Sequence, residues 1–167
     1  MNRKYTGQDY IDKISILRKY MPDIAITTDI MVGFPTETEQ DFEDTMSLVR
    51  KVGFAGAFTF IYSKREGTPA AKMAGQVDEN VSKRRIMELI ELQNSINRTQ
   101  SEAYFNRTVE ILCEGYDGKK QMYLGRDSYG RMAYFSYDSD LTGKFVNVKI
   151  TKTGGISLLG EVVEVLD

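Results

Sequence analysis

The sequence predicts an incomplete parallel α/β barrel, followed by a small five-stranded antiparallel barrel of OB-like size. Three observations carry this reading. An apolar, β-branched run at residues 24–33 ends in a Gly33-Phe34-Pro35 turn and gives way to a helix start; branching at Cβ favours extended backbone. A second such run, residues 55–62, follows after one helix and short connections, which is the alternation of a parallel α/β sheet. From about Thr108 onward the hydrophobic period changes to two, the period of strands with one face inward.

The elements follow in order. Thr6-Gly7-Gln8-Asp9 is a capping box, and Tyr10, Ile14, Leu17 and Met21 recur at helical spacing until Pro22 stops the helix. The strand at 24–33 is nearly continuously apolar, which predicts burial on both faces. Asp29 is its anomaly, because a carboxylate inside an apolar strand requires a partner. Thr36, with Glu39 three residues on, predicts the cap of the next helix. Glu37, Glu39, Asp41, Glu43 and Asp44 suit the positive end of that helix dipole, Phe42, Met46 and Val49 form its apolar face, and Gly53 ends it. The second strand carries Phe58 and Phe60 as core residues, and the loop Ser63-Lys64-Arg65-Glu66-Gly67-Thr68-Pro69 follows. A long helix begins near Asp78 and runs to about residue 100, with Ile86, Leu89, Ile90 and Ile96 inward and Lys83, Arg84 and Arg85 as a solvated face. Five strands near 107–114, 120–125, 131–136, 144–152 and 156–165 are separated by Asp117-Gly118, Ser128-Tyr129-Gly130, Thr142-Gly143 and Gly154-Gly155. The boundary near residues 100–106 divides the chain into 1–103 and 104–167. Two strands and three helices are too few to close a parallel barrel. An open edge invites association, so the first part is either a compact remnant or a piece of something longer.

Composition narrows the chemistry. The 167 residues are 41% hydrophobic and 28% charged, with net charge −2, an ordinary globular balance. There is no apolar run near 18 residues and no signal-peptide core at the start. The one cysteine, Cys113, fits a reducing, cytoplasmic compartment and reads as a small core residue. With no histidine and one cysteine, the chain has no usual zinc site, no three-cysteine iron–sulfur cluster and no Ser-His-Asp or Cys-His arrangement.

Three segments together resemble the carboxyl-terminal half of the radical-SAM methylthiotransferases: Met1-Asn2-Arg3-Lys4-Tyr5-Thr6, the run from Thr27 to Thr38 containing Asp29 and Gly33-Phe34-Pro35-Thr36-Glu37, and the run from Tyr62 to Ala71 containing Arg65-Glu66-Gly67-Thr68-Pro69. The tail, with Gly125-Arg126, the run from Gly143 to Thr151 and Ser157-Leu158-Leu159-Gly160-Glu161, resembles the TRAM domain of that family. The branch it looks most like is MiaB, which methylthiolates isopentenyl-adenosine beside the tRNA anticodon; the branch acting on a ribosomal-protein aspartate is a weaker match. The resemblance implies S-adenosylmethionine and two 4Fe–4S clusters in the parent enzyme, tRNA (the anticodon stem-loop) as partner, and an amino-terminal part of the same enzyme that holds the cluster cysteines. None of those cysteines is here. The expectation is therefore a fragment, inactive alone, that supplies part of the adenosylmethionine pocket and the tRNA-binding domain. The alternative is a non-catalytic RNA-binding module.

Candidate residues follow from both lines. Asp29 can hydrogen-bond the adenosylmethionine ribose or amino group, or serve as a cap or ion-pair partner. Gly33 and Phe34 stand in the turn at the strand's carboxyl end, where Gly permits close backbone approach and adenine contacts are plausible. In that turn Thr36 replaces a glycine common in the family. Tyr62, Ser63 and Thr68 occupy the end of the next strand and can line the same pocket or pack the loop. Lys64 and Arg65 can meet RNA or the cofactor carboxylate, and Arg3 can face the pocket. Between Lys119 and Lys152, the basic residues Lys119, Lys120, Arg126, Arg131, Lys144, Lys149 and Lys152 stand against only Asp127, Asp138 and Asp140. Tyr123, Tyr129, Tyr134, Phe135 and Tyr137 are interleaved. Cations for phosphates and rings for unpaired bases are what loop RNA requires.

Overall fold

The computed structural model describes residues 3–155 and 157–166. Met1 and Asn2 of the first resembling segment, and the expected strand start at Ile156, lie outside the described residues. The chain forms two compact units, Met1–Ile96 and Asn97–Asp167.

The first unit runs α1 (Gly7–Tyr20), β1 (Thr27–Val32), α2 (Glu39–Val52), β2 (Gly56–Ile61), a single 3-10 turn (Ala70–Lys72) and most of α3 (Glu79–Glu102). β1 and β2 pair in parallel, from Thr27 opposite Gly56 to Val32 opposite Ile61. The capping box at α1 forms: Asp9 N–H donates to the Thr6 hydroxyl at 3.1 Å, and Thr6 N–H to the Asp9 carboxylate at 2.8 Å. Gly53 ends α2 in the left-handed region, as its position predicts.

Three expectations are corrected here. The cap of α2 is Thr38 with Asp41, not Thr36 with Glu39. Thr36 is engaged elsewhere, in a left-handed turn with φ +73 and its N–H donating to Gly75 O at 2.8 Å. β1 is buried on one face only: Ile30 and Val32 pack with Phe42, Met46, Val49 and Leu89, while Thr27, Asp29 and Met31 are exposed. Phe58 and Phe60, which share the exposed face through the register with Asp29 and Met31, are 68% and 50% exposed rather than core. The physical reason is that the core packs the helices against a single side of the two strands.

The second unit is a closed barrel of β3 (Thr108–Asp117), β4 (Met122–Arg126), β5 (Met132–Ser136), β6 (Phe145–Gly154) and β7 (Ser157–Leu166), in the ring order β3-β4-β5-β7-β6. The five strands stand close to their expected positions. The sheet, however, is mixed rather than antiparallel: β5 and β7 run parallel, from Met132 opposite Ser157 to Ser136 opposite Glu161. Strand direction cannot alternate all the way around a ring with an odd number of strands, so closure itself requires a parallel pair. Ile111, Cys113, Ala133, Phe135, Leu141, Val146, Val148, Ile150 and Leu158 fill the interior. The last turn of α3 belongs to this unit. The Ser101 hydroxyl is buried between the carbonyls of Asn97 and Gly155, and Asn106 N–H donates to Ile150 O at 2.9 Å.

Two glycines let the strands approach. A Cβ at Gly125 would stand 2.2 Å from Leu112 O, and one at Gly160 would stand 2.5 Å from Lys149 O. Both obstacles are backbone, which cannot yield as a flexible side chain would. Gly125→Ala is therefore expected to destabilise the barrel by about 3 kcal/mol, read as a lower urea midpoint for loss of β-sheet circular dichroism.

Candidate functional site

The candidate residues fall into two groups, one in each unit. The first is the turn after β1. Gly33 adopts φ +74, and a Cβ there would lie 2.4 Å from the Ser82 hydroxyl of α3. Its glycine thus serves a left-handed turn packed on a helix. Gly33 N–H donates to Glu37 Oε1 at 3.0 Å. The same oxygen accepts from Arg85 Nη1 at 2.8 Å, and Arg85 also reaches the Glu37 carbonyl at 3.2 Å and Glu39 Oε2 at 2.9 Å. The Arg85 side chain is only 4% exposed. Arg84 adds to the network from solvent, bonding Glu39 and Glu88 at 2.8 Å each. These cations hold the Glu39 carboxyl below its usual range, Arg85 first and Arg84 second.

Arg85 was expected on a solvated face and Glu37 only at a helix start; the structure joins them in a buried ion pair that ties the turn to α3. A readable signal existed. Counting back four from Leu89 places Arg85 on the inward stripe of the helix, the i and i+4 relation.

Around this turn the predicted pocket residues divide. Phe34 and Tyr62 stand at the carboxyl ends of β1 and β2 and meet edge to face, their centroids 5.3 Å apart. The Tyr62 hydroxyl is buried with no hydrogen-bond partner among the described residues. Asp29 is exposed on the open sheet face, and its carboxylate has no ion pair among the described residues. The expectation of a required partner is thereby corrected: β1 is covered on one face only, and an exposed carboxylate on its other face is solvated and needs none. Thr68 caps its own loop, donating to Arg65 O at 2.8 Å and accepting from Ala71 N–H at 3.3 Å. Ser63, Lys64, Arg65 and Arg3 are exposed.

The second group is on the barrel. Here the seven basic residues separate by partner. Arg126 is paired with Glu114 at 2.9 Å. Arg131 turns against Tyr104, 5.0 Å from its ring, and donates to Gln100 and Ser101 at 3.3 Å. Burial pushes the Tyr104 phenol up, and the negative charge of Asp127 adds to this. Lys149 lies opposite Glu161 in the β6–β7 register. Lys144 acts on Asp140, whose carboxyl is held low mainly by the Thr142 N–H. Lys119 and Lys120 occupy the exposed β3–β4 loop, and Lys152 lies opposite Leu159. The Lys120 ammonium sits 3.5 Å from the centroid of the Tyr134 ring. Glu110 and Glu164 are on the exposed side of β3 and β7, and Glu164 accepts from Asn147 at 2.8 Å. Cys113 is buried, which pushes its thiol up and leaves it a core residue.

Comparison with known proteins adds a direct finding. Residues 102–163 match the TRAM domain family. The chain is 49% identical over 166 residues to the tRNA-2-methylthio-N(6)-dimethylallyladenosine synthase of Clostridium novyi (strain NT), a match covering 98% of this chain and 36% of that protein. It is 48% identical over 167 residues to the same-named synthase of Thermoanaerobacter sp. (strain X514), covering 99% of this chain and 36% of that one. The Acetivibrio thermocellus synthase is 46% identical over 164 residues, covering 98% of this chain and 34% of that protein. The chain thus spans about a third of the length of the curated relatives it matches.

The turn's architecture has two measurable consequences. Arg85→Ala leaves Glu37 buried without its cation and is expected to cost about 3–5 kcal/mol, measured by denaturant titration. Thr36→Gly relieves a β-branched residue from a left-handed conformation and is expected to stabilise by about 1 kcal/mol, seen as a higher melting temperature.

Proposed function

We propose that this chain, which carries a TRAM domain and matches the carboxyl-terminal part of tRNA-2-methylthio-N(6)-dimethylallyladenosine synthases along 98% of its length, is the tRNA-docking and adenosylmethionine-facing part of a radical-SAM tRNA methylthiotransferase. The substrate is isopentenyl-adenosine beside the anticodon. The observation that carries the reading is that one continuous match spans both units, not the barrel alone.

The residues present fit adenosylmethionine in part. The buried, unpartnered Tyr62 hydroxyl beside the Phe34 ring is a hydrogen-bonding group awaiting a ligand at the carboxyl ends of the strands, where α/β sheets bind. Phe34 and Tyr62 would hold the adenine side, and Asp29 would face the ribose or amino group from the sheet. When bound beside a reduced cluster, adenosylmethionine supplies the radical. The chain's part is to orient it: Arg85 and Glu37 fix the turn, and Phe34 shields one side from water.

Neither 4Fe–4S cluster fits this chain. It has one cysteine, buried in the barrel, and no histidine, and no group of three or more metal-ligating side chains exists among the described residues. In this reading both clusters are held by an amino-terminal part of the parent enzyme. That part also covers Met31, Phe58 and Phe60 by completing the parallel barrel. A non-catalytic RNA-binding module remains as a second reading, and the missing cluster ligands are what favour it. No described helix is long and apolar enough to cross a membrane; we assign the protein to the cytoplasm.

The test is binding of the chain to an anticodon stem-loop at two salt concentrations. Three lysines around Tyr134, namely Lys119, Lys120 and Lys152, contacting phosphates predict a log–log salt slope of about −2. Replacing all three with Ala is expected to remove most of that slope, and a salt-independent affinity would count against docking by the barrel. A second expectation concerns the open edges of β1 and β2. The isolated chain should dimerise or aggregate, and a monomer at high concentration in sedimentation velocity would count against it.

A further inference from the structure

We infer that the outer face of β4 and β5, centred on Tyr134, holds an unpaired RNA base, with Lys120 transferring from the Tyr134 ring to the adjoining phosphate. This rests on the RNA-docking reading above and says where on the barrel it occurs and which form of RNA it takes.

The ring order β3-β4-β5-β7-β6 is that of an OB barrel, in which the second and third strands and the loops joining strands one to two and four to five carry the oligonucleotide face. Here those strands are β4 and β5, and the first of those loops holds Lys119 and Lys120. The register sets Leu124, Tyr134, Leu159 and Lys152 side by side across four strands. Ala133 and Phe135 point inward, so Tyr134 between them points outward. The result is an apolar strip with a phenol ring at its middle and lysines at two of its sides. At the other loop, the Gly155 carbonyl is engaged by the Ser101 hydroxyl of α3.

The two arginines are less available. Arg126 is paired with Glu114 and Arg131 with Tyr104 and Gln100. Glu161 lies two positions from Leu159 and faces Lys149 across the strands, so the strip's acidic border is on the β6–β7 side.

Lys120 explains the choice of ligand. Its ammonium lies over the ring, held there by the ring's quadrupole. A phosphate offers a full negative charge in exchange. Moving to it uncovers the ring face, and a base then stacks on the phenol. Stacking requires a base free of its helix, because duplex RNA hides its bases from side chains. The site therefore selects single-stranded or loop RNA and tolerates any base, since every base has a π-face.

The experiment is fluorescence anisotropy of the full chain with a labelled single-stranded RNA of about ten nucleotides and with a blunt duplex of equal length. Tyr134→Ala is expected to weaken single-strand binding roughly ten-fold, whereas Tyr134→Phe retains it. Lys120→Ala is expected to lower the salt slope by about one contact. Circular dichroism melts establish that each variant is folded, and the Lys120 variant, in an exposed loop, tests the idea even if Tyr134→Ala unfolds. Wild-type affinity in both folded variants, or equal affinity for the duplex, overturns the inference while leaving RNA docking intact. No binding of the unsubstituted chain to either RNA at low salt overturns both.

Discussion

A closed ring of five strands cannot alternate in direction throughout, and the barrel's geometry follows from that constraint. One neighbouring pair must be parallel, and here it is β5 with β7. Placing β7 between β5 and β6 fixes which residues of β7 lie beside Tyr134, and so gives Leu159 and Lys152 their positions. It also forces close strand contacts, which Gly125 and Gly160 permit because a methyl group at either would strike a neighbouring carbonyl. Register irregularities in β3 and β6 absorb the rest of the curvature. The surface that docks RNA in our reading is thus a product of how the ring closes.

In the first unit, one buried guanidinium has the corresponding role. Arg85 meets Glu37 and Glu39 together, and Glu37 passes the contact to the Gly33 N–H. A buried pair of this kind contributes little net stability but makes any other arrangement costly. It therefore specifies the turn at the end of β1 more than it strengthens the unit. Thr36 is the opposite case, a β-branched residue in a left-handed turn. The turn keeps this strained position because Gly75 O receives its N–H and Arg85 anchors the following residue.

Much of this was legible in the sequence, for reasons that can be named. The capping box at Thr6, the Gly53 stop and all five barrel strands follow from local chemistry and period-two alternation, which depend on near neighbours. The cap of α2 was misplaced by two residues because Thr36 and Thr38 both precede an acid by three positions, and only the distant Gly75 carbonyl distinguishes them. Phe58 and Phe60 were read as core because aromatic strand residues are usually covered, and the sequence of a strand does not say which face its neighbours leave open. The parallel β5–β7 pair was within reach of counting, since five strands in a closed ring forbid full alternation. Tyr134 was among the rings read from the sequence, but its place beside Lys120, Leu159 and Lys152 depended on cross-strand register, which composition does not contain.

The acids of the barrel have a consequence for the kinetics of encounter. The chain as a whole is slightly negative, so a polyanion is not drawn to it from every side. Glu110 and Glu164 lie on the β3 and β7 surface, while Lys119, Lys120 and Lys152 flank Tyr134. On the docking reading proposed above, an approaching RNA is turned away from one side and attracted to the other, so productive collisions arrive already oriented. The balance of charge that gives an unremarkable isoelectric point works in this way as a rudder.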